Sequence, residues 1–114
     1  SKIKIQLRIK TISKVHYDNK ITMEVWQQTR LSSRKCYLTK KSPSSFTNKA
    51  EDGILKHLKG IDPSELESEM GYKNFSVVEN TIKDIDWLYL ASSGHRRLKI
   101  TLKKNKPIFQ WLIP

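Results

Sequence analysis

Residues 2–10 alternate strictly between polar and apolar side chains. From residue 2 to residue 10, every odd position is isoleucine or leucine, and every even position is lysine, arginine or glutamine. A two-residue period is typical of a β-strand with one face in an apolar core and the other in water. The segment therefore predicts a strand whose solvent face is almost entirely cationic. A change of phase at residues 11–12 predicts a bulge, after which the strand continues to Val15.

Other segments show the same period or a helical one. The further strand candidates are residues 21–31, 36–39, 85–90, 96–103 and 107–113, and residues 75–78 fit either a strand or an irregular segment. Asn48 with Glu51 forms a capping-box pattern before a predicted helix that ends at Gly60. Asp62 followed by Pro63 predicts the start of a second, short helix.

The order of these elements predicts an α+β fold. In the order β-β-β-α-α-(β)-β-β-β, a curved antiparallel sheet of five to six strands has two helices packed on one side. A length of 114 residues suits a single domain, so one domain over residues 1–114 is predicted. Because the chain begins with Ser1 and not with Met, we expect it to be a domain of a longer protein.

The charge of the chain is high and unevenly distributed. It has 22 Lys and Arg against 11 Asp and Glu, a net charge of +11. Residues 1–49 carry 12 cationic and 2 acidic side chains, residues 50–90 carry 4 and 9, and residues 91–114 carry 6 and none. Such an excess favours polyanionic partners, namely nucleic acid, anionic lipid or an acidic protein surface. If the two basic segments join one sheet, that sheet has a cationic face.

These patterns predict a non-catalytic domain that contacts the phosphate backbone of DNA or RNA. Cations on alternate strand positions lie about 6.6 Å apart and suit several phosphate contacts at once. Trp26, on the polar phase of its predicted strand, is a candidate for stacking on bases. The predicted contacts are Lys2, Lys4, Arg8, Lys10, Trp26, Arg30, Arg34, Lys35, Lys40, Lys41, Arg96, Arg97, Lys99 and Lys103.

Three alternatives also account for these residues. Lysines on a strand face also protect sheet edges from unwanted pairing, without any ligand. A module for anionic lipid would use the basic face with Trp26 or Phe46 at the membrane interface. A protein-interaction module would expose a strand edge or an apolar groove, and residues 109–113 are apolar on both phases.

Signals for catalysis and metal binding are weak. The three histidines are far apart in sequence, and Cys36 is the only cysteine, which excludes an intrachain disulfide. Asp84 and Asp86 share a strand face, but the polar side of a strand is the simpler interpretation. We predict no cofactor, no metal and no transmembrane segment. The single cysteine suits an intracellular protein, and the charge favours the nucleus over the cytoplasm. The oligomeric state stays open.

Overall fold

A computed structural model describes residues 3–114, so Lys2, one of the predicted contacts, lies outside the described residues. Residues 3–114 form four strands and three α-helices, with single 3-10 turns between them. The predicted α+β class is confirmed, but the sheet has four strands instead of five or six, and there are three helices instead of two. The elements are β1 Lys4–Tyr17, α1 Lys20–Gln28, α2 Leu31–Arg34, α3 Glu65–Glu69, β2 Ser76–Leu90, β3 Arg96–Lys103 and β4 Lys106–Leu112.

The chain divides into two compact units. One, here called the sheet unit, contains residues up to 14 and from 78 to 114. The other, here called the helical unit, is the continuous segment 15–77. The helical unit is therefore an insertion, in sequence, between the two parts of the sheet unit.

The sheet is antiparallel, with its strands in the order β1-β2-β3-β4. The predicted strand over residues 96–103 is β3, and residues 76–78 and 85–90 belong to one continuous strand, β2, whereas Phe75 precedes it. β3 and β4 form a hairpin in which Lys103 pairs with Lys106. Lys104 and Asn105 both have positive φ, at 48° and 60°. Two such residues in a two-residue loop match the twist of the flanking strands, which fixes the register of the hairpin.

The first strand continues to Tyr17, slightly beyond the predicted end. Near its middle, Ser13 Oγ donates to Asn80 Oδ1 of β2 at 2.6 Å, and Thr11 contacts the same oxygen. Ser13 is on the odd phase of β1 and Asn80 on the even phase of β2. Earlier in the strand, Arg8 and Asp86 share a depression on even phases. An even position of β1 therefore faces an even position of β2 at Arg8, whereas an odd position of β1 faces an even one at Ser13. The pairing of β1 with β2 thus shifts by one residue between these two sites, which agrees with the change of phase in the sequence at residues 11–12.

The helical unit begins with a helix where a strand was predicted. The Asn19 side chain accepts a hydrogen bond from the Thr22 N–H, and Thr22 Oγ1 accepts one from the Asn19 N–H. This reciprocal capping box starts α1, and Thr22 and Trp26 are buried one turn apart. The predicted strand over 21–31 is therefore wrong, because capping and burial at helical spacing prevail over the alternation.

Two further predictions in the helical unit are wrong. Residues 36–39 form no strand, because Lys35–Tyr37 is a 3-10 turn that follows α2. The predicted helix over residues 48–60 does not form, and only a 3-10 turn at Lys56–Leu58 lies in this segment. The second predicted helix exists as α3, but Ser64, and not Asp62, caps it by accepting the Glu67 N–H.

An aromatic cluster forms the core of the helical unit. The Trp26 ring lies 5.7 Å from those of Tyr37 and Tyr72 and 5.1 Å from that of Phe75, measured between centroids. The arrangements are tilted or edge-on, which the ring quadrupoles favour. Among the described residues, the buried apolar side chains are Trp26, Leu38, Leu58 and Phe75, and all four belong to this unit.

Candidate nucleic-acid interface

The cross-strand pairs assign side chains to the two faces of the sheet. Asp86 of β2 pairs with Lys99 of β3, which pairs with Gln110 of β4. Directly paired residues point to the same face, so these three side chains lie together. We call this the polar face. Its members on β2, β3 and β4 are Asp84, Asp86, Leu88, Arg97, Lys99, Thr101, Lys103, Lys106, Ile108, Gln110 and Leu112.

The first strand adds its cations to the same face. Gln6 and Arg8 line a shallow depression of about 120 Å³ together with Asp86, Leu88 and Arg97. The even positions of β1 that precede the shift in pairing therefore belong to the polar face, which adds Lys4, Gln6, Arg8 and Lys10. Two cationic rows, on β1 and β3, thus lie on one face with β2 between them.

An ion pair lies between the two rows. The Arg97 Nη2 and Nε atoms donate to the Asp86 carboxylate at 2.7 and 3.0 Å. The hydrogen bonds from Arg97 hold the pKa of Asp86 below its ordinary value, and the charges of Arg97, Arg8 and Lys99 act in the same direction. The same contact raises the pKa of the Arg97 guanidinium. Asp86 is therefore an anion within a cationic surface, and its carboxylate engages the guanidinium group of Arg97.

The polar face remains strongly cationic after this pairing. Its described members include seven Lys or Arg side chains and two carboxylates. The cations are Lys4, Arg8, Lys10, Arg97, Lys99, Lys103 and Lys106. Lys106 was not among the predicted contacts, although its position at the start of β4, opposite Lys103, follows from the hairpin.

Arg96 differs from its neighbour Arg97. Its partner across the sheet is Tyr89, and Tyr89 alternates with Leu88 of the polar face. Arg96 therefore lies at the end of the opposite face. The two adjacent arginines cannot contact one ligand lying flat on the polar face.

The aromatic residues of the sheet also lie on the opposite face. Trp87 pairs with Leu98, which pairs with Trp111. The Trp87 and Trp111 rings are 6.5 Å apart, and the Trp87 and Tyr89 rings are stacked at 6.0 Å. The sheet thus separates its cations from its aromatic rings, so base stacking and phosphate contact do not share a surface.

Trp26 and Arg34 lie in the core of the helical unit. Trp26 is 3% exposed and Arg34 4% exposed. The Arg34 guanidinium lies 4.6 Å from the Trp26 ring centre and donates to Trp26 O, Ser68 Oγ and Glu69 Oε1. The placement of Trp26 on an exposed strand face is therefore wrong. Because both side chains are buried, neither is accessible to a nucleic acid on the protein surface.

The other predicted contacts belong to the helical unit and are partly engaged. Arg30 is exposed at the start of α2, and Lys35 Nζ is 3.9 Å from Asp62. Lys41 Nζ is 4.0 Å from Glu51 and 3.4 Å from the Phe46 carbonyl oxygen, and Lys40 is exposed beside it. These side chains belong to separate parts of the helical unit and are not assigned to the polar face.

Cys36 is exposed and not buried in a strand, and its Sγ lies 3.0 Å from the Ser33 carbonyl oxygen. Within residues 3–114, no three His, Cys, Asp or Glu side chains are grouped closely enough to hold a metal ion. Within the same residues, no helix has the length and apolar character needed to cross a membrane.

Comparisons with known proteins give no relative: no family model matches the chain, and neither a curated protein nor a solved structure shows significant similarity.

Proposed function

We propose that this chain is a non-catalytic nucleic-acid-binding domain that contacts the phosphate backbone through the polar face of its sheet. One observation carries the proposal: cations from two strands that are not neighbours, β1 and β3, lie on one face. Rows of cations on separate strands form a surface instead of a single edge. An edge-protecting role accounts for lysines on an outer strand, but not for Lys99, because β3 lies between β2 and β4.

The geometry of the face favours contact with the phosphate backbone over reading of bases. Alternate residues on a strand are about 6.6 Å apart, and β1 lies two strand spacings, roughly 10 Å, from β3. Several phosphates can thus be contacted together, each with release of counterions. The polar face has no aromatic ring among its described members. We therefore expect the domain to show weak preference for particular base sequences. We expect its partner to be a polyanion inside the cell, in the nucleus in the first place.

A salt series tests the proposal. Fluorescence anisotropy with labelled single- and double-stranded oligonucleotides should give a binding constant that falls linearly with salt on logarithmic axes, with a slope of about −0.9 per duplex phosphate contacted. Absence of binding at about 0.05 M salt, or affinity that does not change with salt, would exclude it. A matched series with a polyglutamate peptide separates nucleic-acid binding from attraction to any acidic chain.

A second candidate function rests on Phe46. Its side chain is 99% exposed, in a loop that also carries Lys40, Lys41 and Lys49. An exposed aromatic ring among lysines suits the surface of an anionic membrane. Sedimentation with vesicles that contain or lack phosphatidylserine tests this function, and Phe46→Ser should reduce binding if the loop inserts. Equal sedimentation of wild type and Phe46→Ser would remove the loop from consideration.

A further inference from the structure

The face of the sheet opposite the polar face is apolar and exposed. The described residues on it are Ile5, Leu7, Ile9, Ile85, Trp87, Tyr89, Leu98, Ile100, Leu102, Phe109 and Trp111. We call this set the apolar face. Five of its members on the outer strands, from Ile9 at 50% to Trp111 at 66%, are at least half exposed.

The sheet unit has no covered core of its own. In its described part, residues 3–14 and 78–114, no residue is buried. A sheet with one apolar face must place that face against a second layer to be stable in water. A contiguous apolar surface of several hundred Å² marks an interaction site. The apolar face of the sheet unit is therefore a candidate interaction surface.

We propose that the occupant is a second copy of this chain, whose apolar face packs on the first to form a two-layer sandwich. Two sheets pack face to face at about 10 Å with their strands roughly aligned, and an identical sheet supplies a partner of equal length and width. A two-fold axis makes such a contact self-complementary. This inference does not depend on the proposed nucleic-acid contact.

The area of the apolar face is close to what a stable dimer needs. Four strands at about 4.8 Å span roughly 19 Å, and seven residues at about 3.3 Å span roughly 23 Å. The projected face is then roughly 440 Å² per copy, and the accessible area of its protruding side chains is larger. Two such faces approach the size of a standard interface, which buries about 1,200–2,000 Å² in total.

The charge distribution permits this pairing in spite of a net charge of +11 on each copy. The central positions of the apolar face carry no charge. Charged side chains on the same phases lie toward the ends of the face, at Arg96 opposite Tyr89 and at Glu79 and Lys83 before Ile85. The cations of the polar face would point outward on both sides of the sandwich. Repulsion between the copies is therefore long-range and should weaken when salt screens it.

The test is the oligomeric state of the intact chain without nucleic acid. Sedimentation velocity should show a monomer–dimer equilibrium at about 10 µM protein, shifted toward dimer between about 0.1 and 0.5 M NaCl. Nucleic-acid binding has the opposite salt dependence, so the two proposals can fail separately. A chain that stays monomeric at about 100 µM in high salt overturns the dimer.

Two variants of neighbouring residues locate the contact. Trp111→Lys puts a charge on the apolar face and should weaken association at least 100-fold. Gln110→Lys, the matched control, puts the same charge on the polar face and should leave a dimer. If Trp111→Lys loses the wild-type circular dichroism spectrum, Leu7→Lys on β1 replaces it. Retained dimer in the folded variant, or equal loss in Gln110→Lys, overturns the proposal.

Discussion

Asp86 and Arg97 form a two-point ion pair across β2 and β3, with the Arg97 Nη2 and Nε atoms 2.7 and 3.0 Å from the two carboxylate oxygens. The pair is diagonal, because Asp86 is directly opposite Lys99 and Arg97 is directly opposite Leu88. Asp86 therefore lies within the electrostatic field of both cationic rows. The Asp86 carboxylate lies in the middle of the surface that we propose binds phosphate. It opposes phosphate binding in two ways, because its negative charge repels phosphate and because it engages the Arg97 guanidinium.

Removal of this carboxylate should strengthen nucleic-acid binding. Asp86→Asn frees Arg97 and makes the polar face one unit more positive, so we expect about a three- to tenfold gain in affinity in the salt series and a slope steeper by about 1. Asp52→Asn, in the helical unit, is a control with the same charge change. A loss of affinity in Asp86→Asn would argue that Asp86 orders the face for binding.

The same residue gives a pH dependence of stability. Arg97 lowers the pKa of Asp86 in the folded protein. A carboxyl with a lowered folded pKa stabilises the fold above its unfolded pKa of about 3.9, and that stabilisation is lost as the pH falls through the folded value. Urea unfolding should therefore show wild type losing more stability than Asp86→Asn below about pH 4. Parallel curves for the two proteins would show that the ion pair contributes little, as exposed pairs often do.

Charge reversal in both cationic rows should weaken binding strongly without unfolding the chain. Arg8→Glu with Lys99→Glu changes one cation on β1 and one on β3 and should reduce the magnitude of the salt slope by about 2. Lys49→Glu with Lys56→Glu makes the same change at exposed positions of the helical unit and should have a much smaller effect. Equal losses in the two double variants would mean that net charge alone, and not the polar face, governs binding.

Trp26 should matter for stability and not for binding. Its ring is in contact with Tyr37, Tyr72 and Phe75 and is nearly inaccessible. Trp26→Ala should cost about 3–5 kcal/mol in the free energy of unfolding, measured with urea. Trp26→Phe keeps an aromatic ring in the core and should leave oligonucleotide affinity within about twofold. A large loss of affinity in folded Trp26→Phe would restore the residue as a base-stacking candidate.

A close approach of backbone and side chain restricts position 71 to glycine. A Cβ atom on Gly71 would lie 3.0 Å from the Cβ of Tyr37 and 3.3 Å from the Tyr37 and Ser68 carbonyl oxygens. Gly71→Ala should therefore destabilise the helical unit by about 1–3 kcal/mol. This is the opposite of the usual effect of replacing glycine by alanine, which stabilises a protein by reducing the conformational entropy of its unfolded chain. Lys73→Ala, exposed two residues later, should change stability by less than about 0.5 kcal/mol. A neutral Gly71→Ala would mean that Tyr37 can move aside.

Strands β1 and β3 were predictable because residues 2–10 and 97–103 alternate between an apolar and a polar phase, and this alternation identified the cationic rows. Strand β2 has apolar and charged side chains on both phases, and its residues 79–84 were not predicted as a strand. The meeting of the two cationic rows on one face was not predictable, because it depends on β1 pairing with β2 across the whole helical unit. For α1, Ile21, Met23 and Val25 alternate like a strand but are exposed, and the informative signal was the capping box of Asn19 and Thr22. A similar pattern at Asn48 and Glu51 formed no helix, because local capping cannot decide without burial.

The long insertion between β1 and β2 has a consequence for the order of folding. Ser13 and Asn80, in contact in the sheet, are 67 residues apart in sequence, whereas β2, β3 and β4 follow one another through short turns. Bringing β1 to β2 closes a long loop, and the entropy lost in closing it is offset only after the contacts between the two strands have formed. Within the helical unit, the Tyr17 hydroxyl donates to the Lys73 carbonyl oxygen at 2.7 Å, which brings the two ends of the insertion together. Folding of the helical unit would shorten the effective loop to a few residues, so that the first strand could join the β2–β3–β4 meander late but quickly.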